Sequence, residues 1–367
     1  MWSRRGLTLI ELMVALFILS LVVAGAFALY ISNLKIYKSE AKTAETQMGK
    51  VMALELLRRD IVHAGYGLPW DVSSISYQEA TEDEADDYND APNPPRAFIL
   101  EDNVKIDTED EADYLVIKSI KAAENEATRK WGTLSHSGTS WKFEPRGEEG
   151  NFSEDDYVIF IGGIDKEIIT RQLHENGGNW YWSGNDTDYD NTIGLDPDTL
   201  YLVYGVSTRV STNGTGPRMP FNRVDYYLDR PDDGLPDKCN PSTYILYRAT
   251  IKHADGTRDA QPMLDCVRDF QVAFALDANG NGQIEPNEWF KELNISEADD
   301  VRRQVKEVRV FILYQEGQRL EHEASTTSIT LGDTQTDTLS TFTPSGEDRH
   351  YRWKVLKLVV RPLNMGV

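Results

Sequence analysis

Twelve residues carry the clearest chemical pattern in the chain: Asp277-Ala278-Asn279-Gly280-Asn281-Gly282-Gln283-Ile284-Glu285-Pro286-Asn287-Glu288. Oxygen-bearing side chains fall at positions 1, 3, 5, 9 and 12, and Gly282 stands at position 6, where a tight loop must turn sharply. This spacing suits a hard cation such as calcium, which takes about six to eight oxygen ligands. Asp277, Asn279, Asn281 and Glu285 would offer side-chain oxygens, and Gln283 its main-chain carbonyl. Glu288 would bind through both carboxylate oxygens, and Ile284 would turn to the core. Calcium is therefore the expected cofactor, and a plain glycine-rich turn is the competing reading. Two other acidic stretches fit less well. Asp186, Asp188 and Asp190 alternate but lack the glycine and the closing glutamate, and Asp229, Asp232 and Asp233 before Gly234 read as turn formers.

No other chemistry stands out. The six histidines (His63, His136, His174, His253, His322 and His350) are scattered, with no His/Cys cluster at zinc spacing. Neither a GxSxG nucleophile elbow nor a phosphate-cradling glycine loop with its lysine is present. An enzyme is not expected. The formal net charge of -22 argues against a general nucleic-acid binder, since phosphate contacts need clustered Lys and Arg. Cys239 and Cys266 lie 27 positions apart and flank TYILYRATI; in an envelope-exposed domain an oxidising compartment would join them, and two buried thiols are the competing reading. Closing that loop would contribute roughly 3–4 kcal/mol on the chain-entropy view. Trp180, Tyr181 and Trp182 invite a surface-binding role, but aromatics in a β-rich region are more often packing.

These groups must be held by something, and the N-terminus is the most ordered part of the pattern. Arg4 and Arg5 precede a charge-free run of 23 residues from Leu12 to Leu34, long enough to span a bilayer as a helix. Glu11 sits at the edge of this apolar run, where a buried carboxylate would be costly. A cleaved secretory signal ending at Ala26-Phe27-Ala28 is the competing reading. The helical pattern continues beyond that point, however. Leu34, Tyr37, Ala41, Ala44, Met48 and Val51 recur at three and four spacing and drift to Leu54, Leu57 and Ile61. Gly65, Gly67 and Pro69 stop it. The expected helix runs from Leu7 to Ala64, about 87 Å at 1.5 Å per residue.

The stretch Gly6-Leu7-Thr8-Leu9-Ile10-Glu11 resembles the class III signal of type IV prepilins and pseudopilins: a short basic leader ending in glycine, an apolar first mature residue, and glutamate at the fifth. The resemblance implies a prepilin peptidase that cuts after Gly6 and methylates the new amine of Leu7. It also implies that Glu11 pairs with the Leu7 ammonium of a neighbouring subunit, which would make the carboxylate a register device for assembly, because a charge in a low dielectric is tolerated when paired. Two features depart from the family pattern: Leu7 replaces the common phenylalanine, and Ala28 stands where many major pilins have proline. Loss of the leader removes Arg4 and Arg5 and takes the formal charge from -22 to -24. The runs VRVFILY and LKLVVRPL, with LELLRRDIVHAGYG, look like parts of PilW-like minor pilins and J-type pseudopilins. The twelve-residue loop resembles that of an EF-hand. Its flanks do not, since FQVAFAL alternates like a strand and NEWFKEL reads as a short helix, so an isolated strand–loop–helix site is expected.

After Pro69, residues 78–96 are acidic and proline-containing and read as an exposed, mobile loop. Short β-rich runs follow, beginning at Tyr114, Tyr157, Leu200, Thr243, Phe270, Val308 and Leu356, with EADDVRRQVKE near Glu297 as the best later helix signal. The expected fold is α+β: a long N-terminal helix, membrane-spanning in its first half, packed on a mainly antiparallel β soluble domain. Its parts are a leader (1–6), a membrane half-helix (7–33), an amphipathic half-helix (34–66) and a β-rich periplasmic or extracellular domain (67–367) carrying the calcium loop (277–288). The implied function is that of a minor pilin of a type IV pilus, a non-enzymatic subunit that primes or caps assembly. It would be single-pass in the inner membrane before assembly and at the cell surface afterwards. The implied partners are other minor and major pilins, prepilin peptidase and the inner membrane. The alternatives are a type II secretion pseudopilin of the J type and a signal-anchored calcium-binding adhesin that does not polymerise.

Overall fold

The computed structural model describes residues 9–82, 84–107, 110–146, 150–164, 169–175, 179–184, 195–231, 233–324 and 326–366. Helix α1 (Leu9–Val62) is one uninterrupted element of 54 residues, about 81 Å long. No proline interrupts it, and turn geometry at Gly65 (φ 76°) and Gly67 (φ 71°) follows its end. The strands are β1 (Phe98–Lys105), β2 (Glu111–Ser119), β3 (Trp131–Ser137), β4 (Ser140–Pro145), β5 (Asp156–Ile164), β6 (Ile169–Leu173), β7 (Trp182–Ser183) and β8 (Tyr201–Thr208). They continue as β9 (Asn222–Asp229), β10 (Tyr244–Ile251), β11 (Arg258–Leu276), β12 (Trp289–Phe290), β13 (Val305–Glu316), β14 (Ile329–Asp333), β15 (Asp337–Phe342) and β16 (Arg352–Val360). A seven-residue helix, α2 (Ala298–Gln304), precedes β13.

Among the described residues, three antiparallel sheets form the domain, in the orders β1-β2-β9-β10-β11-β13-β16, with β12 added to β11; β4-β3-β8-β5-β6, with β7 added to β5; and the two-stranded β14-β15 hairpin. The α+β expectation is met. Strand alternation explains how the layers share one core. On β13, Val308, Val310 and Ile312 face the main core, while Phe311 and Leu313 face the β14–β15 hairpin, with Leu331, Tyr351 and Trp353. On β5, Ile159 and Ile161 join the main core, while Val158 and Phe160 form a smaller cluster with Leu134, Trp182, Tyr201 and Val203. Trp180 and Trp182 are buried, so this aromatic run is packing.

Helix α1 enters the main core through Ala53, Leu57 and Ile61, a stripe at four-residue spacing against the large sheet. Val51, in the predicted stripe, is exposed, as are Leu34 and Tyr37. The apolar face has rotated by then, as a 3.6-residue period requires. The chain's other end returns to this place. Leu363 N donates to Val62 O, Asn364 Nδ2 to Ala64 O, and buried Met365 packs against Gly65.

Three expectations need correction. Among its described residues, the acidic segment 78–96 is not an exposed loop: Glu79, Ala80, Ala85 and Asp90 are buried. The cause is electrostatic. Glu79 Oε2 and Asp90 Oδ2 lie 2.6 and 2.7 Å from the fully buried Lys118 Nζ, and Glu79 is also 3.5 Å from Arg223. NEWFKEL is not a helix, because Trp289 and Phe290 pair with Ala275 and Phe274 as β12. Ile284 is half-buried at the loop surface rather than part of the core.

Candidate functional site

The first locus is the beginning of α1. Leu9–Ile31 is long and apolar enough to cross a membrane, and none of it is buried among the described residues. Leu9, Phe17 and Leu29 are 78%, 64% and 68% exposed. That amount of open apolar surface requires a lipid or protein partner. Glu11 lies in the first turn of the helix, where a carboxylate also suits the macrodipole. Gly6 and Leu7 lie outside the described residues.

The second locus is the seat of α1 on the β-domain, which sequence reasoning missed. Asp60 is 2% exposed, yet Arg248 Nε and the Tyr226 hydroxyl each donate to its Oδ2 at 2.7 Å. Arg248 also donates to the carbonyl of Ala122. Burial alone would weaken the Arg248 cation, but Asp60 outweighs it and holds the guanidinium above its usual range. Burial, and then the Asp60 charge, push the Tyr226 phenol well up. The available signal was a single charge inside an apolar stripe, Asp60 between Leu57 and Ile61, and a single arginine inside TYILYRATI. Lys118 within YLVIKSI carries the same signal. Asp90, beside it, is pushed up by burial and pulled below the usual carboxylate range by Lys118 and Arg96.

The third locus is the predicted cation loop, which the sheet closes at both ends. Leu276 N donates to Glu288 O, and Asp277 N to Gln304 O. Between these ties the side-chain oxygens turn back on the loop. Asp277 Oδ2 accepts from Gly282 N at 2.9 Å, Asn279 Oδ1 from Asn281 N at 2.9 Å, Asn281 Oδ1 from Gln283 N at 2.7 Å, and Glu288 Oε2 from Glu285 N at 2.9 Å. Gly280 and Gly282 have φ of 71° and 77°, a region that disfavours side chains. Asp277 and Glu288 are 6% and 4% exposed, whereas Asn279, Asn281, Gln283 and Glu285 lie at the surface. Asp277 Oδ1 is buried with no hydrogen-bond partner among the described residues. Its sister oxygen accepts across the loop, so the carboxylate faces the loop interior. Among the described residues, no three His, Cys, Asp or Glu side chains are already gathered as a metal cage. Of the other acidic groups, Asp186, Asp188, Asp190 and Asp232 lie outside the described residues, and Asp229 accepts from Arg230 N at a strand end.

Cys239 and Cys266 are joined as a disulfide that ties the loop before β10 to β11. Closure of that loop contributes about 3.5 kcal/mol on the chain-entropy view.

Residues 225–364 match the family described as Type IV Pilus-assembly protein W, and residues 3–27 match the prokaryotic N-terminal methylation motif. No curated protein and no solved structure matches the chain. The first match runs from within β9 through β16 into the tail that returns to α1; the second covers residues 3–27 and so reaches through most of the apolar start of α1. Matches at both ends, joined through the seat of one long helix, support a type IV pilin-like protein.

Proposed function

We propose that this chain is a minor pilin of a type IV pilus, a structural subunit that primes or caps assembly rather than a catalyst. The observation that carries this reading is the methylation motif on a bare apolar helix continuous with the seat of a large β-domain. Before assembly the bare segment lies in the inner membrane, with the domain in the periplasm. During assembly it transfers into a bundle of sister helices, and lipid contacts are exchanged for helix contacts. Glu11 then sets the axial register by pairing with a neighbour's Leu7 ammonium, a favourable exchange because an unpaired charge in an apolar bundle is costly. Calcium at Asp277–Glu288 stiffens the distal domain. Support for that role comes from the orphaned, buried Asp277 Oδ1 facing a loop whose amides already orient the remaining oxygens. The size of the domain favours the pilus over a secretion pseudopilin.

The test is cross-linking and co-purification from envelope membranes, with mass spectrometry of the partners and of this chain's own N-terminus. Recovery of other pilins and a methylated start at Leu7 is the expected result. Recovery of export machinery alone would move the chain to type II secretion, and an unprocessed Met1 or a start near Leu29 would refute the pilin route.

A further inference from the structure

We infer that Lys306 is a built-in competitor for the cation loop, an ammonium that occupies the charge of Asp277 and sets how tightly calcium binds. This rests on the calcium reading above and adds a residue that the twelve-residue pattern does not contain. Lys306 is the second residue of β13, and its Nζ lies 3.6 Å from Asp277 Oδ2. The same ammonium donates to Gly366 O at 3.1 Å, so it is held between the loop and the chain's C-terminal tail. Gly366 has φ 74°, and a side chain there would meet Lys306 Nζ at 2.8 Å, so the tail closes on the ammonium without room to spare. The tail is anchored in turn where Gly366 N donates to Arg302 O at 2.6 Å.

The charges give the consequence. Asp277, Glu285 and Glu288 bring three negative charges to the loop, and Lys306 neutralises one of them at Asp277, a buried member. A divalent cation bound to Asp277 would sit within a few ångströms of that ammonium and be repelled by it. The Lys306 side chain is 27% exposed, so water screens part of this repulsion. Two charges on one side and one on the other, about 5 Å apart in a water-like dielectric, change the binding constant by roughly tenfold. Lys306 would thus keep the loop for concentrated calcium, as outside a cell, and leave it closed on itself when calcium is scarce. A purely structural role in holding the tail would predict no effect on calcium affinity.

The experiment is calorimetric titration of the full-length protein in detergent micelles with calcium chloride. It compares wild type, Lys306→Met, Lys306→Arg and, as the blank, Glu288→Ala. Lys306→Met should bind calcium about tenfold more tightly than wild type, with Lys306→Arg within about twofold of it. A wild type that binds, together with a Lys306→Met whose Kd is unchanged or weaker, overturns the competitor role and leaves the calcium reading standing. A folded wild type that binds no calcium at about 10 mM overturns both. Lys306→Gln, which also removes the charge, takes the place of Lys306→Met if that variant does not fold, and is held to the same outcomes.

Discussion

Replacing Arg248 by methionine keeps the length of the side chain and removes its charge, and should damage the junction between helix and β-domain. Asp60 would remain 2% exposed with the Tyr226 hydroxyl at 2.7 Å as its strong partner, and Arg59 3.7 Å from its other oxygen. Removing one partner from a buried ion pair costs roughly 3–5 kcal/mol, because the other charge is left uncompensated. The nearby Arg59, partly exposed, offsets some of this, while the carbonyl of Ala122 loses its donor. The expected loss is about 3 kcal/mol. Asp60→Leu alone should cost a similar amount, through a stranded guanidinium. The double variant should cost far less than the sum, since both charges leave together and apolar volume replaces them. A coupling of about 2 kcal/mol or more is expected. Urea unfolding of the full-length chain in micelles, followed by tryptophan fluorescence, measures the cycle, and limited proteolysis near Gly65 reports detachment of the helix. A single-variant cost below about 1 kcal/mol, or strict additivity, would show that the pair is not what seats the helix.

Three further outcomes follow from other parts of the molecule. Glu11→Ala should leave processing and membrane insertion intact while reducing recovery in pili or priming complexes; equal incorporation would refute the register argument. Calcium should raise the melting temperature relative to chelator, by the equivalent of about 2.7 kcal/mol at one hundred times Kd, and Glu288→Ala should remove most of that response while magnesium substitutes poorly. His253 is fully buried, and burial, then Arg218, lower its pKa from 6.5 to about 4. The fold therefore holds it neutral: its contribution is complete above pH 6.5 and is lost as pH falls towards 4, by up to about 3 kcal/mol. The stability gap between wild type and His253→Gln should shrink across that window, and a gap independent of pH would refute the assignment.

The long helix and most large strands were legible because they are written in periodicity. VRVFILY became β13 and LKLVVRPL became β16, and the alternation along each strand assigns its two faces. The disulfide was legible in a count of two cysteines flanking one strand. What stayed hidden depended on partners distant in sequence. Residues 78–96 read as solvated because their carboxylates outnumber their apolar groups, yet Lys118 and Arg223, on two different strands, draw Glu79 and Asp90 inside. Asp60 was hidden in the same way, since its partner lies 188 residues later. In the cation loop the oxygens and glycines were readable from spacing. The strand after the loop was not, because two residues of β12 are too short to carry a pattern, and Lys306 stands outside the motif.

The return of the C-terminal tail to the end of α1 has a mechanical meaning. In the fibre proposed above, under tension, load would reach each subunit through its N-terminal helix. Here that helix ends where the tail is tied to it, through Leu363 on Val62 and Asn364 on Ala64. Force can therefore pass from the first segment of the chain to β16 and then to β13, which is bonded to β16 from Val308 to Glu316. The smaller sheet stands off this line, so its loops can diverge in sequence with little penalty to strength. The last residues, by contrast, are a poor place for a tag or a truncation, because they are part of the joint.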